Sequence, residues 1–172
     1  IVACLVGSEM CIRDRALADV VDDSQTNFKN TVTFKFQAGD TIDIDDSTEL
    51  GKFITDIGSN ALTLTDQKVT VDSGTKISVT NARSIANDTT GTVTASIDTA
   101  ARVSDLTTLY NPGGGNETNA WTVVISSADK TGSTAANLNT INSATSVAVD
   151  LTEVTALAAS DISDLATLNT NK

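Results

Sequence analysis

The chain contains no histidine in 172 residues. Its two cysteines, Cys4 and Cys11, and its single methionine, Met10, all fall within the first fifteen positions. Without histidine the Ser-His-Asp triads are closed, since a serine nucleophile needs a base to take its proton. No G-x-S-x-G elbow is present either. Zinc sites draw on Cys and His, and neither occurs from Ala16 onward. Aromatic residues number six: Phe28, Phe34, Phe36, Phe53, Tyr110 and Trp121. Val, Ile, Leu and Ala must therefore build most of any core, and Tyr110 and Trp121 stand too isolated to form a sugar-stacking platform. No run approaches the length of a membrane-spanning helix. Basic residues number 11 against 22 acidic, a net charge of −11. Nucleic acid requires clustered Lys and Arg that release counterions, so this balance argues against it as a partner. It also disfavours anionic membrane surfaces. It suits solubility in a salty exterior, where screening makes high charge tolerable, and it permits Ca2+, a hard cation taking oxygen ligands.

What is abundant is threonine, 28 residues, and aspartate, 18 against 4 glutamates. Branched Thr favours strands, and Asp favours caps and turns. The composition predicts many short elements with many turns. The length suits one domain or a piece of a repeat array. Residues 16–30 read as a linker. Residues 31–80 read as a β-rich segment with one short helix. Val32, Phe34 and Phe36 alternate with polar residues, and Ile42 and Ile44 do the same after a turn at Gly39, which predicts a hairpin. Asp46 or Ser47 caps a helix with Leu50, Phe53, Ile54 and Ile57 inward. Three strands are expected at 61–65, 68–72 and 76–80, with turns at Asp66-Gln67 and Ser73-Gly74.

Residues 81–172 alternate short helices with short strands. Helices are expected at 81–88, 103–110, 134–141 and 160–168, and strands at 93–97, 122–126 and 146–150. The apolar positions at helical spacing are Ala82, Ile85 and Ala86; Val103, Leu106 and Leu109; Ala135, Leu138 and Ile141; Ile162, Leu165 and Leu168. Local motifs echo one another, as in SDLTTL, ANLNTI and SDLATL. The stretch NPGGGNETN (111–119) reads as a loop insertion between repeats. A strand plus a short helix recurring every 20–30 residues is the signature of a solenoid. The expected fold is thus α/β, with solenoid-like repeats stacking their strands into a parallel sheet through right-handed connections. The partners of each repeat are its neighbours in the same chain.

Two resemblances follow from particular residues. Leu5 to Asp14, LVGSEMCIRD, back-translates to CTC GTG GGC TCG GAG ATG TGT ATA AGA GAC, and Ile1 to Arg15 resemble a translated adapter of transposase-based sequencing libraries. That resemblance implies that IVACLV is no signal peptide, that Cys4 and Cys11 form no disulfide or metal pair, and that these residues stand without a place in the core, unsupported or as a stray helix. From Thr31 to Leu168, stretches such as VTASIDTAARVSDLTTL, FKFQAGDTIDID and AASDISDLATL resemble the Thr/Asp-rich repeats of giant secreted, adhesin-like (haemolysin-type) surface proteins of marine bacteria, notably cyanobacteria. That resemblance implies export to the extracellular space or cell surface, a structural or adhesive role, and Ca2+ dependence. The glycine-rich nonapeptide that binds Ca2+ in β-rolls is absent.

The densest carboxylate cluster is Asp40, Asp43, Asp45, Asp46 and Glu49. Asp43 and Asp45 are expected on one strand face, about 7 Å apart, and with the others they offer oxygens to Ca2+. The spacing is not that of an EF-hand. The plainer alternative is a solvated strand face followed by an N-cap, where acids suit the helix dipole. Paired carboxylates also serve glycosidases, but no aromatic platform accompanies these. NPGGGNET lacks the lysine of a P-loop. The sequons at Asn87 and Asn116 read as chance matches. The reading is a non-enzymatic structural or adhesive segment. Its alternatives are a Ca2+- or carbohydrate-binding module, with cell-surface glycans as partners, and a fragment of a β-helix polysaccharide lyase or phage fibre.

Overall fold

The computed structural model describes residues 2–4, 11–13, 39–110 and 119–170. Strands β1 (Val2–Cys4) and β2 (Cys11–Arg13) pair with each other, antiparallel, with Val2 opposite Arg13. They form a two-stranded sheet of their own, apart from the five-stranded main sheet. These residues were expected without support or as a helix; the described part of them is a separate strand pair. The linker at 16–30, the strand carrying Val32, Phe34 and Phe36, and residues 111–118 of the glycine-rich loop lie outside the described residues.

The rest runs β3 (Thr41–Ile44), α1 (Ser47–Gly58), β4 (Lys68–Val71), β5 (Lys76–Ile77), α2 (Val79–Asp88), β6 (Val93–Ile97), α3 (Val103–Leu106) with a following 3-10 turn (Thr107–Leu109), β7 (Ala120–Thr122), a second 3-10 turn (Ser127–Asp129), α4 (Ala135–Ser143) and α5 (Ile162–Thr170). Every pairing in the main sheet is parallel. Ile42 lies opposite Val69, Val69 opposite Val93, and Ala95 opposite Trp121. β5 joins the far end of β6, Ile77 opposite Ile97. One parallel bridge, Val124 to Asp150, carries the order past β7. The fold is α/β with a parallel sheet, as the alternation of patterns predicts; parallel neighbours need crossover connections, and the helices supply them.

One face of the sheet and one stripe of each helix share a core. The strands contribute Ile42, Ile44, Val69, Val71, Val93, Ala95, Ile97, Trp121, Val123 and Ile125. The helices contribute Leu50, Phe53 and Ile57; Ala82, Ile85 and Ala86; Val103, Leu106 and Leu109; Leu138 and Ile141. Burying each Ile, Leu, Val or Phe stabilises the fold by roughly 1.5–3 kcal/mol relative to exposure. The sheet and its core run through both portions that the sequence distinguishes on either side of residue 80.

Five elements differ from expectation. Residues 61–65 form no strand: Leu62 and Leu64 are buried, but Thr65 N donates to Gln67 Oε1 at 2.7 Å and the Thr65 carbonyl accepts from Thr90 N at 2.8 Å. The strand expected at 76–80 stops at Ile77, because Ser78 caps α2 and accepts from Asn81 N at 3.2 Å. The ladder expected at 122–126 begins at Ala120, and that at 146–150 shrinks to the single bridge at Asp150. On α5, Ile162 and Leu165 are 86 % and 40 % exposed rather than inward. An apolar stripe is buried only where another layer covers it; α5 packs against α4, and among the described residues only Leu168 of the stripe reaches the core.

Candidate functional site

The acidic cluster is arranged by the entry to α1. Asp40 precedes β3, and its carbonyl accepts from Lys68 N at 2.8 Å. Asp43 points outward from β3, opposite Thr70 of β4, and is exposed. Asp46 is the N-cap of α1: its Oδ1 accepts from Thr48 N at 2.7 Å and Glu49 N at 2.9 Å. Glu49 reaches back, Oε2 accepting from Asp45 N at 2.9 Å. This is close to a capping box, which satisfies orphan first-turn donors from both directions. Oxygens of Asp46 and Glu49 are therefore engaged on backbone amides. Among the described residues no three His, Cys, Asp or Glu side chains gather as a metal site. The structure brings Asp45, Asp46 and Glu49 together and places Asp43 on the neighbouring strand face.

Two carboxyls elsewhere titrate away from their ordinary range. Desolvation raises Asp88, the last residue of α2. Hydrogen bonds from the backbone and side chain of Thr152 lower Asp150, the backbone bond being 2.9 Å long.

Hydroxyls link neighbouring rungs of the sheet. After α2, Thr89 Oγ1 donates to the Gln67 carbonyl at 2.6 Å and accepts from Gly91 N at 3.0 Å. After α4, Thr145 Oγ1 donates to the Trp121 carbonyl at 2.8 Å and accepts from Val147 N at 3.1 Å. The next hydroxyl repeats too: Thr90 Oγ1 donates to Thr65 O at 3.0 Å, and Ser146 Oγ to Asn119 O at 3.1 Å. The same three-bond device thus closes two helices. Its signal, Thr-Thr/Ser-x-x-Val at 89–93 and 145–149, is visible in the sequence but was not read from it. Asn119, assigned by the sequence to a loop insertion, is 3 % exposed, and its Oδ1 accepts from Val93 N at 2.8 Å. Between the two devices lies an ion pair. Arg102 Nη2 stands 2.7 Å from Asp129 Oδ1, Arg102 Nε donates to both Asp129 oxygens at 3.1 Å, and Val103 N donates to Oδ2 at 2.9 Å.

A cleft of about 320 Å³ opens at the carboxyl ends of β5 and β6, where the chain turns into α2 and α3. It is lined by Ser78, Val79 and Thr80 from the start of α2, by Asp98, Ala100 and Ala101 from the turn after β6, and by Asp105 and Thr108. Asp98 Oδ1 accepts from Ala100 N at 2.9 Å, which fixes the turn. Thr108 Oγ1 donates to Asp105 O at 2.6 Å, leaving its lone pairs free to accept. Ser78 caps Asn81 N, whereas the N–H groups of Val79 and Thr80 have no acceptor within their helix. Nothing in the local pattern marks this cleft, because its residues come from two separate turns that only the parallel pairing brings side by side. Compared with models of known protein families, with curated proteins and with solved structures, the chain matches none.

Proposed function

We propose that this chain is a non-enzymatic structural and adhesive segment of a secreted or cell-surface bacterial protein, in which strand–helix units stack as a solenoid. The observation that carries the reading is a common sequence separation. Thr90 reaches Thr65 across 25 residues, Val93 reaches Asn119 across 26, Arg102 reaches Asp129 across 27, Thr145 reaches Trp121 across 24, and Ala135 reaches Ser160 across 25. In a solenoid each unit touches only its neighbours, so long-range contacts collect at one separation. A globular fold spreads them over many. A stack of this kind extends a chain by adding units, which suits a spacer or a wall of weak contacts. The net charge of −11 keeps such a wall soluble where salt screens it. Neighbouring units are its first partners, and cell-surface glycans its second.

Single-molecule stretching tests the reading. Unit-by-unit release is expected, each step lengthening the chain by about 9 nm, the extended length of one unit at roughly 3.5 Å per residue. One all-or-none event spanning residues 39–170 would overturn the solenoid. Turnover of a polysaccharide by the purified chain would overturn the non-enzymatic part.

A further inference from the structure

We infer that the α5 end of the sheet is the docking face for one further strand–helix unit of this chain's own pattern, its strand added parallel to the edge at Val149 and Leu151 and the unit closing over Ile162 and Leu165. The inference rests on the stacking reading above and names the surface through which stacking continues and the kind of partner it takes.

The backbone edge is one half of that face. Asp150 is held to the rung before it by both of its backbone groups: its N–H donates to Val123 O at 2.9 Å and its carbonyl accepts from Ile125 N at 3.0 Å. Backbone groups alternate in direction along a paired strand, so the carbonyl of Val149 and the N–H of Leu151 face the opposite edge. Neither has a partner among the described residues. Inside the sheet a rung uses both edges: β6 pairs with β4 and β5 on one side and with β7 on the other. An acceptor and a donor left open on an edge are a template for one more strand.

The helix row supplies the other half, independently. The stripe Ala135, Leu138 and Ile141 of α4 recurs in α5 as Ile162, Leu165 and Leu168. All three are buried in α4, whereas Ile162 and Leu165 are exposed in α5 and Leu168 is half-buried. Each earlier helix touches its successor: α1 meets α2, α2 meets the 3-10 turn after α3, α3 meets α4, and α4 meets α5. No helix follows α5 among the described residues. Val147, beside the open edge, is exposed too, and no residue from 146 to 170 is fully buried. A lone strand would fill the edge and leave part of the stripe bare, and a lone helix would do the reverse. A strand followed by a helix meets both. Charge selects such a unit over a second copy joined end to end. Residues 146–170 hold four acids, Asp150, Glu153, Asp161 and Asp164, and no base, so two copies meeting here would set like charges against each other. In a unit such as 120–145, Asp129 and Lys130 cancel.

The test lengthens the whole chain after Lys172 by a copy of its residues 120–145. The copied Val124 then stands seven residues after the end of α5, as Asp150 stands seven after the end of α4, and so meets the edge in the register in which Val124 meets Asp150. Hydrogen exchange at the Leu151 amide and across α5 should slow roughly tenfold or more, and the urea midpoint should rise. Ile162→Asp, at a position exposed in the parent chain, should cancel both gains and leave the parent's own midpoint unchanged. A copy of 146–170 in the same place is the second arm, should the first copy not fold. Unchanged exchange at Leu151 with both copies overturns the inference, and so does slowing that Ile162→Asp leaves intact. Sedimentation of the parent chain as a dimer that Ile162→Asp dissolves overturns the choice of occupant in favour of a second copy. Stepwise release in the stretching experiment without protection at Leu151 overturns this docking face alone and leaves the solenoid standing.

Discussion

At the residue scale, one close approach between neighbouring rungs is made by a glycine. A Cβ built on Gly91 would lie 2.6 Å from the Asp66 carbonyl oxygen and well inside contact with that of Gln67. Both obstacles are backbone, so no side chain can swing away. Gly91→Ala is expected to cost about 3 kcal/mol, in the range of overpacked cores, read as a lower urea midpoint; a loss below about 0.5 kcal/mol, typical of an open surface site, would show that the rungs can part freely there. Asp150 carries a second residue-scale prediction. Its folded pKa lies below the ordinary value because Thr152 donates to it. A depressed carboxyl contributes stability that is present above the unfolded pKa and is lost as pH falls through the folded one. Thr152→Val removes the side-chain donor and keeps the backbone one, so the Asp150 carboxyl should titrate at higher pH by NMR, and the acid-side loss of stability should be smaller and complete at higher pH. Neither residue stands out in the sequence. Gly91 looks like an ordinary turn residue in TTGTV, because the carbonyls that forbid a side chain belong to residues two dozen positions away.

At the element scale, helices were easier to read than strands. The apolar spacing in α1, α2, α3 and α4 identifies the residues that are buried, since helical amphipathicity is local information. Polar starts were readable in part: Asp46, one of two candidates with Ser47, caps α1, whereas Ser78, which caps α2, sits in a stretch that reads as strand. Strands were harder, because a ladder depends on a partner that local pattern does not contain. ALTLT alternates as a strand should, yet its backbone bonds go to Gln67 and Thr90. SVAVD alternates too and retains only one bridge. The acidic cluster belongs at this scale as well. Asp46→Ala removes the acceptor for Thr48 N and Glu49 N and should cost about 1 kcal/mol, as N-cap losses do, measured by thermal or urea unfolding. A calcium titration followed by melting temperature addresses the same residues. With Asp46 and Glu49 engaged on amides the expected shift is nil, and a saturable rise would place Ca2+ at the α1 entry.

At the scale of the whole molecule, packing is not uniform. The middle of the sheet, from β4 to β7, is covered by helices, and Val69, Val93 and Ile125 are fully buried. Toward α5 the ladder thins to the bridge at Asp150, and Ile162 is 86 % exposed. Local opening costs least where few apolar contacts hold the backbone. Hydrogen exchange should therefore be fastest at 147–170, slower across α4, and slowest in β6. Equal protection from β4 through α5 would mean that the chain opens only as one unit. This gradient is only half visible in the sequence, whose repeating apolar stripes do not say how far each one is covered by a neighbouring layer.

The hydroxyls of Thr89 and Thr145 act as pins. Each docks its own turn on a carbonyl far back in the chain, 22 residues back for Thr89 and 24 for Thr145, so the turn is placed in space while the number of residues leading to it differs. Slipping one rung by a single residue turns its whole inward row to the opposite face and pulls the hydroxyl off its mark. Insertions and deletions should therefore be tolerated in the connecting segments, where the two spans already differ by two residues, and rejected inside the strands themselves.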